Sequence, residues 1–479
     1  MKAHHLDIGV RLAAEGVVRL CGLATLPVLT RTLGRDGYGV VVGTGSICGV
    51  FTILAVCGLS YHVGRIVGRG ESPQARRLLR RLLLIATLTG GVWAAVTAAA
   101  APWLDATFLK QPDARAAFLW CAGMVLFTAW EAIFMEWVRQ RGRYRTLSIL
   151  LAAMAVVQLA AVLVVATHGG GPAEVVACAV ACQAIRIALL ALLIRLSARA
   201  TDTISGPSAD ADLPTLRRCV TDGAVVMAGS LGTWGLAQAG RLFLGNANGM
   251  GGMGVAAALA SMPVLAGAAC GQSLFPDLVR AVGRRRRRDM IVAVRRFAGS
   301  FWILTIPAMA IALPLAGEAA ALLGGRDFNA LGPTCVLMLA AAWMEMAVLP
   351  MTYSVSAHGW ATRSRNAALA GAVVNLGAAV VLVPRLGTAG VALAALSGQL
   401  AFAGLLAWGL RQAGFPWAAL LPKRAREIIA VGLAGTAIAA AIPHRSWPGM
   451  VVAAGVPGVL MLAVLFRRQV RTALTPRTA

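Results

Sequence analysis

Residues 82–101, LLLIATLTGGVWAAVTAAAA, run for about twenty positions without a charged side chain. A helix of that length crosses the roughly 30 Å hydrocarbon core of a bilayer. A membrane-spanning strand would instead alternate polar and apolar residues, which the run from Leu82 to Ala86 does not. Comparable stretches recur from end to end of the chain, so the sequence predicts an all-α polytopic membrane protein.

The same criterion, applied along the whole chain, predicts about fourteen transmembrane helices. The composition agrees, because 58% of the 479 residues are hydrophobic and only 13% are charged, against about 25% charged residues in a soluble domain. The predicted spans are 11–31, 38–60, 82–102, 115–137, 146–167, 173–195, 222–245, 254–275, 297–322, 334–356, 366–384, 388–410, 427–443 and 447–466.

The net charge of +25 has a topological interpretation. About 34 basic residues fall on the side that holds both termini, and about 7 on the opposite side. Inner-membrane proteins concentrate Lys and Arg in their cytoplasmic loops. The asymmetry therefore predicts a multi-pass protein of the bacterial inner membrane with both termini in the cytoplasm. It also accounts for the charge without a nucleic-acid partner.

The sequence offers little for catalysis or metal binding. The nine cysteines lie almost entirely within apolar spans and form no Cys-x-x-Cys pair, so we predict no metal, no cofactor and no enzyme activity. A phosphate-binding Gly-Lys-Ser/Thr loop is also absent from the sequence. A membrane glycan polymerase or ligase, the enzymatic alternative, usually carries a large catalytic outer loop. The longest predicted outer loops, such as 103–114, hold only about a dozen residues and no paired carboxylates.

Two short motifs occur twice. GYGV at 37–40 and RIVGR at 65–69 correspond to GMGV at 252–255 and RAVGR at 280–284, with the same offset for both pairs. An even number of spans precedes the second copy, so the repeats are parallel, as in transporters that hold substrate between two rocking lobes. The predicted parts are a six-helix lobe at 1–197, a cytoplasmic linker at 198–221, a second six-helix lobe at 222–412, and two additional helices with a cytoplasmic tail at 413–479.

Arginines inside the predicted spans are the first candidates for a substrate site. A charge at mid-bilayer costs about 2.5–3.5 kcal/mol on insertion scales, and a guanidinium matches phosphate oxygens in bidentate geometry. Arg19, Arg186 and Arg241 are therefore predicted to bind an anionic substrate, with Glu15 one helical turn from Arg19. The structural alternatives are internal ion pairs and, for Arg241, a side chain that reaches the membrane interface.

Two carboxylates inside the spans are candidates for binding a coupling ion. Glu131 lies well inside the fourth predicted span and Glu345 inside the tenth. A buried carboxylate can carry a proton across the membrane cycle. The structural alternative is again an ion pair that pins the helix bundle.

Residues 30–39, TRTLGRDGYG, resemble the opening of polysaccharide-biosynthesis flippases of the O-antigen or Wzx type. These flippases belong to the MOP superfamily, which also holds the MATE drug exporters and the lipid II flippase. RLFLG at 241–245, GGRDF at 324–328 and LGTAGVA at 386–392 resemble later signature segments of the same family. The sequence departs from the family at Gly240, where relatives often carry Asp before the arginine.

The resemblance implies two six-helix lobes, two extra helices and a central cationic cavity. It implies transport of undecaprenyl-diphosphate-linked oligosaccharide from the inner to the outer leaflet, for exopolysaccharide, O-antigen or other lipopolysaccharide synthesis. The implied partners are this lipid-linked substrate, membrane lipids and a polysaccharide polymerase or export machinery. The alternatives are a lipid II flippase and a MATE-like cation-coupled multidrug exporter, the latter requiring cavity carboxylates for organic cations.

Overall fold

The computed structural model describes residues 2–67, 73–199, 214–271, 274–411, 413–422 and 424–441. Within these ranges every regular element is a helix. The chain divides into two compact units, Met1–Gly254 and Val255–Ala479. The predicted linker lies mostly outside the described residues, so the lobe boundaries stay a prediction.

Across the part of the first unit that the structure describes there are seven α-helices and the start of an eighth. They are α1 Lys2–Val56, α2 Leu59–Val67, α3 Pro73–Leu104, α4 Ala114–Gln140, α5 Tyr144–Thr167, α6 Pro172–Arg199, α7 Leu216–Gln238 and α8 Ala247–Gly271. A short π-helix, Asp105–Leu109, extends α3, and a 3₁₀-helix, Ala239–Leu244, extends α7.

In its described residues, the second unit contains the rest of α8 and eight further α-helices. They are α9 Leu274–Gly283, α10 Arg287–Ala312, α11 Ala316–Gly324, α12 Gly332–Ala347, α13 Leu349–Ala357, α14 Ala361–Leu386, α15 Thr388–Arg411 and α16 Ala425–Ala441. The predicted tight turn after the eleventh span is confirmed, since Gly387 has a φ of 56° and joins α14 directly to α15.

Ten helical segments of the described chain are long and apolar enough to cross a membrane. The first, Ala13–Val56, covers most of the first two predicted spans, 11–31 and 38–60. α7 corresponds to the seventh predicted span and α16 to the thirteenth, while the predicted span 447–466 lies outside the described residues. The predicted class, an all-α polytopic membrane protein, is confirmed.

The bounds predicted for the ninth span, 297–322, are wrong. α10 begins at Arg287 and ends at Ala312, and the separate helix α11 begins at Ala316. Arginine favours helices, so the basic residues before the apolar run join α10. Pro314 lacks a backbone N–H, and a helix breaks readily at such a residue.

α1 bends at a single glycine. Gly34 has a φ of 68° and a ψ of −177°, a conformation open to glycine and strained for other residues. The bend divides α1 into the two parts that the sequence predicts as separate spans. The second part, from Arg35 onward, packs against α7 and the first turns of α8.

Glycines permit this close packing. A Cβ atom on Gly39 would collide with the backbone carbonyl of Ala247, and a Cβ atom on Gly251 would collide with the carbonyl of Arg35. The Arg35 Nε donates a hydrogen bond to the Asn248 carbonyl at 3.2 Å. The backbones of α1 and α8 therefore touch near Gly39 with no side chain between them.

Replacing Gly39 with alanine is expected to lower the free energy of unfolding by about 3 kcal/mol, because two backbone segments would have to separate. The matched control is Gly45→Ala on the same helix, where an added Cβ meets nothing within 4 Å. That control should be neutral or slightly stabilising, by about 0.5–1 kcal/mol. Thermal unfolding of the two purified variants in detergent measures the difference, and equal melting temperatures would contradict the packing described.

Candidate anion-binding site

Arg241 lies just beyond the end of α7. The 3₁₀-helix Ala239–Leu244 carries it, and Gly245 closes that helix with a φ of 62°. Arg241 is only 5% exposed. Its burial favours a role inside the protein over the alternative in which the side chain extends to the membrane interface.

The guanidinium of Arg241 has polar but neutral neighbours. Its Nη1 donates a hydrogen bond to the Ser46 Oγ at 3.2 Å. The Trp234 Nε1 donates to the backbone oxygen of Ser46 at 3.2 Å, which fixes α7 against the second part of α1. The Tyr38 phenol lies close enough to interact electrostatically with the guanidinium.

The Arg241 charge is left uncompensated. No described residue forms an ion pair with it, and its buried Nε makes no hydrogen bond within the described chain. Gly240 stands where a carboxylate could have neutralised it. Burying an unpaired charge costs several kcal/mol, so the protein maintains a site that an anion would stabilise.

Arg186 and Glu131, predicted separately for substrate and for coupling ion, form one ion pair. The Arg186 Nε lies 2.7 Å from the Glu131 Oε1, and the Nη2 donates to Oε2 at 2.9 Å. Gln183 donates to the same Oε2 at 2.9 Å and lies 3.1 Å from the Thr128 Oγ1. α4 and α6 are thus joined by a polar network inside the first unit.

Arg19 lies on the first part of α1 with an exposed side chain. It forms no ion pair or hydrogen bond with any residue that the structure describes, so Glu15, half-buried one turn earlier, does not neutralise it. Arg19 and Arg241 are therefore both unneutralised cations of the first unit.

Glu345 belongs to the second unit. It is half-buried on α12, and no ion pair with it is found among the described residues. It contrasts with Glu131, whose charge Arg186 already balances.

Sequence reasoning missed the residues that surround Arg241. Ser46, Trp234 and Tyr38 carry no charge and follow no spacing that points to an anion. Only Tyr38 lies in a segment that the family resemblance singled out. Gln183 is a polar residue within the sixth predicted span, but its bond to Glu131 depends on how α4 and α6 pack.

Solved structures share this fold. A lipid II flippase, MurJ, in an inward closed conformation matches with a TM-score of 0.70 and 10% identity, over 96% of this chain and 99% of that chain. An inward-facing MATE multidrug transporter of the MOP superfamily matches with a TM-score of 0.61 and 14% identity, over 86% and 98%.

A third solved structure is a MOP superfamily transporter from Pyrococcus furiosus, described by a binding pocket of reverse polarity that suggests a different function. It matches with a TM-score of 0.62 and 13% identity, over 87% of this chain and 94% of that chain. Identities this low establish the fold alone. A comparison with curated protein sequences finds no significant match.

The long apolar helices and the shared fold together describe a multi-pass membrane protein. The profile described as "Polysaccharide biosynthesis protein" matches residues 7–282, more than half of the chain. The chain belongs to this polysaccharide biosynthesis protein family. The predicted membership is thereby confirmed, and the MOP superfamily fold agrees with it.

Proposed function

We propose that this protein flips undecaprenyl-diphosphate-linked oligosaccharide from the inner to the outer leaflet of the bacterial inner membrane. The two lobes would alternate access to a shared site, with both termini in the cytoplasm. The translocated oligosaccharide would be used to build a surface polysaccharide such as exopolysaccharide or O-antigen. The observation that carries the proposal is the buried, uncompensated guanidinium of Arg241.

A diphosphate is the ligand that suits this charge best. Its oxygens accept charge-assisted hydrogen bonds from a guanidinium, and these bonds are about twice as strong as neutral ones. Membership of the polysaccharide biosynthesis family supports a glycan on that diphosphate. The MurJ relative is named for flipping lipid II, which supports a lipid carrier here.

The other predicted site residues take roles within the same proposal. Arg19 would contact the diphosphate together with Arg241, and Glu15 would moderate the field around Arg19. Arg186 would join them when it is released from Glu131. Of the two proposed coupling-ion carboxylates, Glu345 is the better candidate. A bound proton or cation would neutralise Glu345, whereas Glu131 already has Arg186 as its counter-ion.

Gene deletion tests the proposed function in cells. We expect lipid-linked oligosaccharide to accumulate facing the cytoplasm and surface polysaccharide to disappear. Wild type should restore both, and a variant carrying Arg19→Gln plus Arg186→Gln should restore neither. The matched control is Arg385→Gln, which changes an exposed arginine near the end of α14 and should complement fully.

Two other outcomes would point elsewhere. If the deletion strain has normal surface glycan and becomes sensitive to organic cations, the protein is a MATE-like exporter and the flippase proposal is wrong. Arrest of cell-wall synthesis with accumulated lipid II would replace the oligosaccharide by the lipid II precursor. Co-purification of the tagged protein with a membrane polymerase would support the proposed polymerase or export partner.

A further inference from the structure

The Arg186–Glu131 contact has the geometry of a guanidinium–phosphate contact. The Nη2 donates a hydrogen bond to Oε2 at 2.9 Å, and the Nε lies 2.7 Å from Oε1 as an ion-pair contact without a hydrogen bond. A guanidinium presents this same edge to two phosphate oxygens. The carboxylate of Glu131 therefore occupies the place that a phosphate would take on Arg186.

The pair is open enough for exchange. The Arg186 side chain is 22% exposed and that of Glu131 is 12% exposed, so neither is sealed within the helix bundle. The Arg186 Nη1 makes no bond to any residue in the described ranges, and it remains available as a further donor. An incoming anion can thus contact Arg186 before Glu131 has left.

Glu131 would keep a partner after losing Arg186. Gln183 donates to its Oε2 at 2.9 Å from the same helix face that carries Arg186, one turn earlier. The cost of releasing Arg186 is therefore lower than the cost of leaving a carboxylate without any donor.

No second cation is supplied by the neighbouring helices α3 and α5. Their apolar stretches, 82–104 and 146–167, contain no charged residue. α1, which also packs on both α4 and α6, brings Glu15 and Arg19 into the membrane, and α2 brings His62 against α4. None of these bonds to Glu131 in the structure, which leaves Arg186 as its one ionic partner among the described residues.

Stability alone does not account for the pair. Replacing a buried ion pair with apolar side chains of similar volume is often neutral or stabilising by about 1–4 kcal/mol. An Ala-rich and Leu-rich bundle such as this one could have packed apolar residues at both positions. The charges are more readily explained by a partner that binds only part of the time.

We propose that Glu131 is a built-in competitor of the substrate diphosphate for Arg186. In the empty transporter Glu131 neutralises Arg186. When substrate binds, the diphosphate displaces the Glu131 carboxylate from Arg186. On the opposite side of the membrane the carboxylate returns to Arg186 and displaces the diphosphate. The exchange transfers hydrogen bonds only, with no covalent step. This inference rests on the proposed function, because it assumes a diphosphate substrate.

Binding of farnesyl diphosphate to the purified protein tests the competition, with farnesol as the probe that lacks phosphate. A ligand that binds only the folded state raises the melting temperature by an amount that grows with the logarithm of ligand concentration divided by Kd. We expect Glu131→Gln to bind farnesyl diphosphate about tenfold more tightly than wild type, and Arg186→Gln about tenfold more weakly. The double variant should match Arg186→Gln, because the competitor matters only while Arg186 is present.

Glu136→Gln is the matched control. Glu136 lies on the same helix and also pairs with an arginine, Arg139, at 2.9 Å, so its removal should leave the affinity unchanged. If Glu131→Gln binds like wild type and like Glu136→Gln, the competition is overturned. If Glu131→Gln does not fold, Glu131→Asp, whose carboxylate is withdrawn by one methylene, should still bind more tightly than wild type, and failure to do so would overturn the competition equally.

The two proposals fail in distinguishable ways. If Arg241→Met weakens the binding of farnesyl diphosphate and Glu131→Gln leaves it unchanged, the proposed function is supported and the competition is overturned. No phosphate-dependent binding by wild type or by any variant contradicts the proposed function itself, and the competition falls with it.

Discussion

Replacing Arg241 with methionine is expected to abolish transport and at the same time to stabilise the protein. Each lost charge-assisted hydrogen bond to a diphosphate is worth about 1.5–3 kcal/mol, which corresponds to roughly a tenfold to hundredfold loss of substrate affinity. The fold, however, is freed of a buried cation whose only hydrogen-bond acceptor among the described residues is the Ser46 hydroxyl. Removing it should raise the free energy of unfolding by about 2 kcal/mol.

Complementation of the deletion strain and thermal unfolding of the purified variant measure the two effects. Arg385→Met is the control, since an exposed arginine should change stability by no more than about 0.5 kcal/mol. A variant that is both less stable and inactive would show that Arg241 is structural. A variant that transports normally would remove it from the substrate site.

Replacing Arg186 with methionine should have the opposite effect on stability. It leaves the Glu131 carboxylate inside the first unit with Gln183 as its remaining donor. Breaking one side of a fully buried ion pair costs about 3–5 kcal/mol. Because these side chains are 22% and 12% exposed, we expect a smaller loss, and the melting temperature should fall. Thermal unfolding in detergent is again the measurement.

A double variant supplies the control for this effect. Arg186→Met combined with Glu131→Met removes both charges and should recover most of the lost stability, because apolar replacement of a whole pair is close to neutral. The coupling free energy between the two positions should therefore be large. Additive losses in the double variant would mean that the 2.7 Å contact does not stabilise the folded protein.

The partners of these two arginines could not be predicted from the sequence. Arg186 and Arg241 look alike in the sequence, each a lone arginine in an apolar helix. Their difference depends on which helices touch. Arg186 on α6 pairs with Glu131 on α4. Arg241, on the 3₁₀-helix that follows α7, instead contacts the uncharged Ser46 on α1. Spacing along one helix carries no information about the register between two.

Elements within one helix were predicted more successfully. The apolar stretches predict the membrane-spanning class, and the predicted spans 11–31 and 38–60 leave a turn between them. The structure places that turn at Gly34, whose non-helical φ and ψ separate the two helical parts of α1. The ninth span failed because helix propensity extends α10 into the arginine run, beyond the apolar stretch on which the prediction depended.

Reconstituted vesicles test the central claim most directly. Wild-type protein and Arg241→Met would be placed in vesicles containing undecaprenyl-diphosphate-linked oligosaccharide, and a membrane-impermeant glycosidase would report which leaflet holds the glycan. The account predicts that wild type exposes the inner-leaflet glycan to the enzyme, whereas Arg241→Met leaves that inner-leaflet glycan protected, as in protein-free vesicles. Equal exposure by both proteins, or protection of the glycan in wild-type vesicles, would contradict it.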